Sequence, residues 1–338
     1  MPASASRPPR GAMARTVVVT GASAGVGRAT ASAFAARGDR VALLARGEDG
    51  LRAAAVEARR AGGTPLAIPC DVADADAVER AAAQAEEQLG PIDVWVNNAM
   101  TSVLAFVHET DPADARRVTE VNYLGYVYGT LAALRRMRPR DRGVIVQVGS
   151  AMAYRAIPLQ ATYCGAKFAT RGFTDSLRTE LMHEGSGVRV TMVQLPGLNT
   201  TQFTWVRTTL DKEPRPVPPV YQPELAADAI LHAADHPRRE LWVGGNVPAV
   251  IVGGQLLPGL ADRYLARTNV DAQQTERPVS PDRRDYVYES LGDRGTHGPF
   301  DDEAKPRSLH LVLTKRRRPL LAAAALLGAT ALSAIRRR

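Results

Sequence analysis

Three residues near the middle of the chain could do proton chemistry together. Ser150, Tyr163 and Lys167 lie in the run S-A-M-A-Y-R-A-I-P-L-Q-A-T-Y-C-G-A-K, residues 150–167. Tyr163 and Lys167 are spaced so that a helix would place them on one face, one turn apart. An ammonium beside a phenol favours the phenolate and lowers its pKa. A tyrosine tuned in this way can exchange a proton near neutral pH. A surface helix can carry Y-x-x-x-K with no such role, so the surrounding chain has to decide.

A second feature could hold an anion. Residues 20–27 read T-G-A-S-A-G-V-G, with Gly21, Gly25 and Gly27 spaced as G-x-x-x-G-x-G. The turn follows a β-branched run, Thr16 to Thr20, and opens an alanine-rich segment from Arg28 to Arg37. That is the strand-to-helix setting in which a glycine-rich turn brings a pyrophosphate to a helix N-terminus. Gly21 permits the tight turn, and Gly25, Val26 and Gly27 form the close approach. The next apolar run ends L-L-A-R, with Ala45 and Arg46 where an acid would bind the ribose hydroxyl of NAD. A guanidinium there pairs with a 2′-phosphate, and Ser23 can add a hydrogen bond. NADP(H) is therefore expected in preference to NAD(H), with Glu48 keeping NAD open.

These residues need a scaffold, and the hydrophobic pattern supplies one. Strands are expected at 16–20, 41–44, 65–68, 94–96, 144–148, 188–194 and 241–243. Helices are expected at 28–37, 51–61, 75–89, 112–137 and 162–182. Such alternation predicts an α/β, doubly wound architecture with a seven-stranded, mostly parallel sheet covered on both faces. Two segments break the rhythm. The run P-R-P-V-P-P-V-Y-Q-P (214–223) cannot be helix or central strand and falls where a substrate lid would sit. Residues 271–314 are charged and rich in Pro and Gly, which reads as a flexible linker.

Bulk properties exclude some functions. The chain has 338 residues and a net charge of +8. Seven basic residues and no acids lie in 315–338, and three arginines and no acids lie in 1–15. The stretch between them carries a net −2, so a nucleic-acid-binding body is not expected. Two cysteines, Cys70 and Cys164, do not suggest a disulfide framework and fit a cytoplasmic setting. The N-terminus lacks the apolar core of a signal peptide. No metal site is expected.

Taken together, the motifs resemble the short-chain dehydrogenase/reductase family in its shorter branch, over about residues 14–265. C-D-V at 70–72 resembles the segment that meets the adenine, which implies Asp71 and Val72 as contacts. N-N-A-M at 97–100 resembles N-N-A-G, with Asn98 and Ala99 at the cofactor and Met100 in place of glycine. Asn122, Ser150, Tyr163 and Lys167 match the family's catalytic residues. P-G-L-N-T-T at 196–201 resembles the segment that meets the nicotinamide, implying Pro196, Gly197 and Thr200, with Thr201 an alternative register.

The resemblance implies a Rossmann domain at 14–270, after a disordered N-terminus at 1–13. It implies hydride transfer between NADP(H) and a carbonyl or alcohol substrate, and a homo-oligomer. Tyr163 would transfer the proton, Lys167 would lower its pKa and hold the nicotinamide ribose, and Ser150 would hold the substrate oxygen. Asn122 would position a water linking Lys167 to solvent. Met152, Tyr154, Ile157, Phe203, Trp205 and Val206 are candidates for the substrate wall. Two other readings stay open: an NAD-dependent dehydrogenase working oxidatively, and a non-catalytic dinucleotide-binding sensor or scaffold.

Residues 315–338 place an uncharged run, 319–335, between basic clusters. As a helix it spans about 25 Å, short of a ~30 Å hydrocarbon core. Leu320, Leu321, Leu327, Leu332 and Ile335 share one face. A helix lying on a membrane surface, a membrane anchor and a solvated or oligomer-packing helix all fit this pattern.

Overall fold

The computed structural model describes residues 14–316. The expectations for 1–13, and for the tail beyond Arg316, lie outside the described residues.

The chain begins with β1 (Thr16–Thr20), α1 (Gly25–Ala35), β2 (Arg40–Ala45), α2 (Glu48–Ala61), β3 (Thr64–Pro69), α3 (Ala75–Leu89) and β4 (Ile92–Asn97). It continues through β5 (Val103–Leu104), α4 (Pro112–Thr119), α5 (Gly125–Met137), β6 (Gly143–Ser150), α6 (Ala161–His183) and β7 (Val188–Leu195). Then come α7 (Gln202–Trp205), β8 (Arg207–Thr208), β9 (Lys212–Pro214), α8 (Pro223–Asp235), β10 (Glu240–Trp242), α9 (Val247–Leu256), α10 (Pro258–Thr268), β11 (Gln274–Pro278) and α11 (Leu309–Lys315).

Seven strands form one sheet in the order β3-β2-β1-β4-β6-β7-β10, and every neighbouring pair is parallel. The expected doubly wound sheet is present. Both faces are buried, which is why the strands read as unbroken apolar runs. Val17, Val19, Val41 and Leu43 face one core with Phe34, Leu51 and Ile230. Val18, Ala42, Leu44 and Trp95 face the other with Ala82, Met137 and Leu177. Fully burying a side chain such as Phe34 stabilises by roughly 1.5–3 kcal/mol, so the two layers hold the strand ends in fixed register. Strand order reverses between β1 and β4, and ligands bind outside the carboxyl ends at such a point.

Local chemistry sets the helix ends. Asp74 caps α3 by accepting from the N–H groups of Asp76 and Ala77 at 2.9 and 3.0 Å. The expected helix over 112–137 is interrupted by a π-helical turn at Glu120–Leu124, between α4 and α5. Such turns re-aim side chains inside a helix, and Asn122 lies in this one.

The linker expectation for 271–314 is corrected by the structure. Tyr286, Val287, Phe300, Ala304 and Leu311 are buried against the body. β11 pairs antiparallel with β9. Lys305 N–H donates to the Val220 carbonyl at 2.9 Å, and its own carbonyl accepts from Gln222 N–H at 3.0 Å. A local hydrophobic count misses this segment because its few apolar residues and its backbone partners are all distant in sequence.

Candidate active site

The residues singled out by their chemistry converge at the carboxyl ends of β1, β2, β4, β6 and β7. One groove is lined by Gly21, Ser23, Gly25, Val26, Gly27, Arg46, Asp71, Val72, Asn98, Ala99, Ser150, Tyr163, Lys167, Pro196, Gly197 and Thr200. Of the catalytic and cofactor residues read from the sequence, Asn122 alone is absent from that lining; it is fully buried behind it.

The glycine turn is built for close approach. Gly21 has φ +68°, and a Cβ at Gly27 would lie 2.1 Å from the Gly21 carbonyl oxygen. Position 27 therefore has no room for a side chain. Helix α1 has no side-chain cap and no acid in its first turn, so its N-terminal dipole is not neutralised from within. Thr20 fixes the opposite rim, its hydroxyl accepting from the Asn98 and Ala99 N–H groups at 2.9 and 3.0 Å. The Asn98 amide also donates to the Thr20 carbonyl at 2.9 Å. A turn with glycine at 21, 25 and 27 and no acid fits a dinucleotide pyrophosphate.

Tyr163 stands on the first turns of α6, and Ser150 ends β6. Both side chains line the groove, and the Ser150 oxygen accepts from Met152 N–H at 3.2 Å. Lys167 lies one turn further on α6. Its ammonium donates to Tyr126 Oη at 3.0 Å and to the Val148 carbonyl at 2.8 Å. It lies 5.6 Å from the centre of the Tyr163 ring. Tyr126 was not found by sequence reasoning. Its only signal was its position four residues after Asn122, on the helix that faces α6.

Electrostatics correct one expectation. Lys167 was expected to lower the Tyr163 pKa. Desolvation instead pushes the Tyr163 phenol well above the ordinary value, with the Ser150 hydroxyl opposing the shift. Burial lowers the Lys167 amine from 10.5 to about 7. Its two hydrogen-bond partners are neutral oxygens, which offset only part of the desolvation. The phenol is thus held in the protonated form, the state a proton donor requires.

The buried lysine has a consequence for stability. Between pH 7 and 10.5 the unfolded chain keeps a proton on this amine and the folded chain does not. Stability therefore rises with pH across that window, and the full cost of burying the charge is present below it. The Tm of Lys167→Met relative to wild type is expected to be most favourable near about pH 6 and to decline toward about pH 10. Thermal unfolding in a pH series measures this. A pH-independent difference would remove the buried-charge reading.

Asn122 binds protein on both sides. Its side chain accepts from Thr101 N–H and donates to the Thr101 carbonyl, both at 2.8 Å. Its own carbonyl accepts from Thr170 of α6 at 3.1 Å. It fastens the wall after β4 to the catalytic helix. Asp71 accepts from Ala73 N–H at 3.0 Å and pairs with Arg117. Arg46 is not free at the end of β2. Its guanidinium donates to the backbone carbonyls of Tyr286, Val287, Tyr288 and Glu289.

Of the expected substrate wall, Met152, Phe203 and Trp205 line the groove, joined by Met100, Gln160, Pro216, Val217 and Tyr286. Tyr154 bonds to Glu240, and Val206 is buried in the cluster behind Tyr286 and Trp205, outside the lining. Ile157 is not part of the lining. His108 and His183 are exposed, away from the groove. Burial pushes the Cys164 thiol up to about 11, so it stays protonated at neutral pH. Among the described residues no His, Cys, Asp and Glu group has a metal-holding arrangement, and no helix is long and apolar enough to cross a membrane.

Comparison with known proteins agrees with this geometry. The short chain dehydrogenase profile matches residues 15–211. An uncharacterized oxidoreductase of Bacillus subtilis, YxnA, is 34% identical over 328 residues, 96% of this chain and 91% of the relative. Dehydrogenase/reductase SDR family member 7B of Bos taurus is 32% identical over 262 residues, 74% of this chain and 80% of that protein. Estradiol 17-beta-dehydrogenase 11 of Mus musculus is 28% identical over 250 residues, again 74% and 80%.

Proposed function

Because this chain belongs to the short-chain dehydrogenase family, we propose that it is an NADPH-dependent reductase of ketones or aldehydes. The observation that carries this reading is one groove holding both the glycine turn and the Ser150–Tyr163–Lys167 set. The dinucleotide would supply the hydride.

The chain's own residues do the rest. Gly21, Gly25 and Gly27 admit the pyrophosphate, and Pro196, Gly197 and Thr200 face the nicotinamide side. Ser150 holds the substrate oxygen where negative charge develops. Tyr163 gives that oxygen its proton, and its half-buried, protonated phenol supports the reductive direction. Lys167 is anchored by Tyr126 and Val148 and keeps one N–H for a ribose hydroxyl or for Tyr163. Met100, Met152, Phe203, Trp205 and Tyr286 favour a bulky apolar carbonyl compound.

The NADP preference rests on charge. Ala45 ends β2 where NAD binding calls for an acid, Arg46 lines that end of the groove, and the Asp71 carboxylate there is paired with Arg117. Wild type is expected to favour NADPH over NADH, and Arg46→Asp to weaken NADPH by roughly tenfold or more, the loss of one charge-assisted pair. Initial rates with both cofactors, across ketones, aldehydes, steroids, retinoids and acyl-thioesters, test the whole reading. Preference for NADH would return the NAD-dependent oxidative reading. Dinucleotide binding without turnover on any of them would return the sensor reading.

A further inference from the structure

The segment from Asp285 to Gly298 runs along the length of the groove. At one end Tyr286 is buried, its ring 5.3 Å from Trp205 and its hydroxyl 3.5 Å from Met100 Sδ. The next carbonyls are held by Arg46, and the Val287 carbonyl also accepts from Arg117 at 3.2 Å. Ser290 then lies against Gly47, and Gly292 near Gly50 at the start of α2. Asp293 pairs with Arg28 on α1, and the Gly25 N–H donates to the Gly295 carbonyl at 3.1 Å. The far end is buried at Gly298 and Phe300, tied to Asn199 after β7.

The segment therefore crosses from the catalytic tyrosine, past the end of β2, to the glycine turn. Tyr286, Ser290, Leu291 and Gly292 line the same groove as Gly21, Arg46, Asp71 and Tyr163. Both ends are anchored by buried residues, whereas Tyr288, Glu289, Ser290, Asp293, Arg294 and His297 between them are exposed. Most contacts that fasten this middle are polar: guanidinium to carbonyl, the Asp293–Arg28 and His297–Glu224 pairs, Tyr288 Oη to Asp114 and one backbone hydrogen bond, with Leu291 packed on the Leu104–Val206 cluster and Arg294 over the Trp205 ring. Polar contacts of that kind exchange with water at small net cost, so the middle can open while the ends stay seated.

We propose that residues 285–298 form a strap that roofs the dinucleotide groove, and that its release limits cofactor exchange. This rests on the reading of the groove as a dinucleotide site. A cofactor lying between the glycine turn and Tyr163 is covered by the strap and leaves only when the middle lifts. Arg46 then acts as a latch as well as a cofactor residue.

The test is stopped-flow release of NADPH from the full chain, read by its nicotinamide fluorescence. Asp293→Ala removes the pair with Arg28 and is expected to speed release roughly tenfold, the share of one charge-assisted contact. Gly47→Cys with Ser290→Cys pins the strap. The Cβ separation at these positions is 2.9 Å, and a disulfide asks for about 3.5–4.5 Å, a small outward shift. Cys70 and Cys164 are buried and do not compete. The oxidised pair is expected to release NADPH at least about tenfold more slowly than the same protein after reduction. If the bond does not form, the Asp293→Ala rate decides alone. Equal rates in Asp293→Ala and wild type, or in a verified oxidised pair and its reduced form, overturn the strap while leaving the dinucleotide site intact. Failure of wild type to bind either NADPH or NADH overturns both.

Discussion

Tyr163→Phe is expected to bind NADPH as wild type does and to reduce carbonyl compounds roughly 10²–10⁴-fold more slowly, the usual share of general acid catalysis. The Tyr163 side chain is half-buried and lines the groove beside Ser150. Removing the oxygen therefore deletes the proton donor and leaves the ring packed. Lys167 keeps Tyr126 and Val148 as partners and is not disturbed. Dinucleotide titration, Tm and single-turnover reduction separate the effects. Loss of turnover with unchanged binding and Tm assigns the oxygen to chemistry. Undiminished reduction would remove Tyr163 from the mechanism.

Gly27→Ala is expected to abolish dinucleotide binding and to destabilise the fold. Its new Cβ would lie 2.1 Å from the Gly21 carbonyl oxygen and 2.6 Å from Asn98 Nδ2. Neither neighbour can move cheaply. The Gly21 oxygen is backbone in a tight turn, and the Asn98 amide is bonded to Thr20. Overpacking of this kind costs about 1–3 kcal/mol before any effect on the ligand. The same shift widens the turn that faces the pyrophosphate, so affinity falls by at least about a hundredfold if ~3 kcal/mol of contact is lost. Thermal unfolding and NADPH titration measure the two losses. Gly172→Ala is the control, because a Cβ there meets nothing within 4 Å and alanine favours the helix by about 1 kcal/mol. Wild-type binding by Gly27→Ala would show that the turn does not cradle the cofactor.

The parts of the site that were legible in sequence share a property. They lie on short local patterns whose meaning is set by neighbouring residues. T-G-A-S-A-G-V-G announced a strand-to-helix turn, and the turn is there between β1 and α1. The i, i+4 spacing of Tyr163 and Lys167 announced a shared helix face, and both residues line the groove from α6. Burial on both faces of a parallel sheet made the seven strands visible as apolar runs.

What escaped detection lies on contacts between distant segments. Tyr126 supports Lys167 across two helices, and no spacing rule connects residues 126 and 167. The segment 271–314 has the composition of a linker, yet Arg46 holds its carbonyls and Asn199 holds its far end. Composition cannot register backbone acceptors. The protonation states were also misjudged. Adjacency in sequence suggested that Lys167 would draw the proton from Tyr163. Desolvation raises the phenol and lowers the amine, because burial penalises both charged forms.

The sequence by itself determined the order of strands and helices, the glycine turn and the Ser-Tyr-Lys set. Each is encoded by residue type and short spacing along one stretch of chain. Only the tertiary structure decided the depth of the lysine, the partners of Arg46 and the roof over the groove. Those follow from which surfaces lose water when remote segments meet, and desolvation is a property of the folded chain.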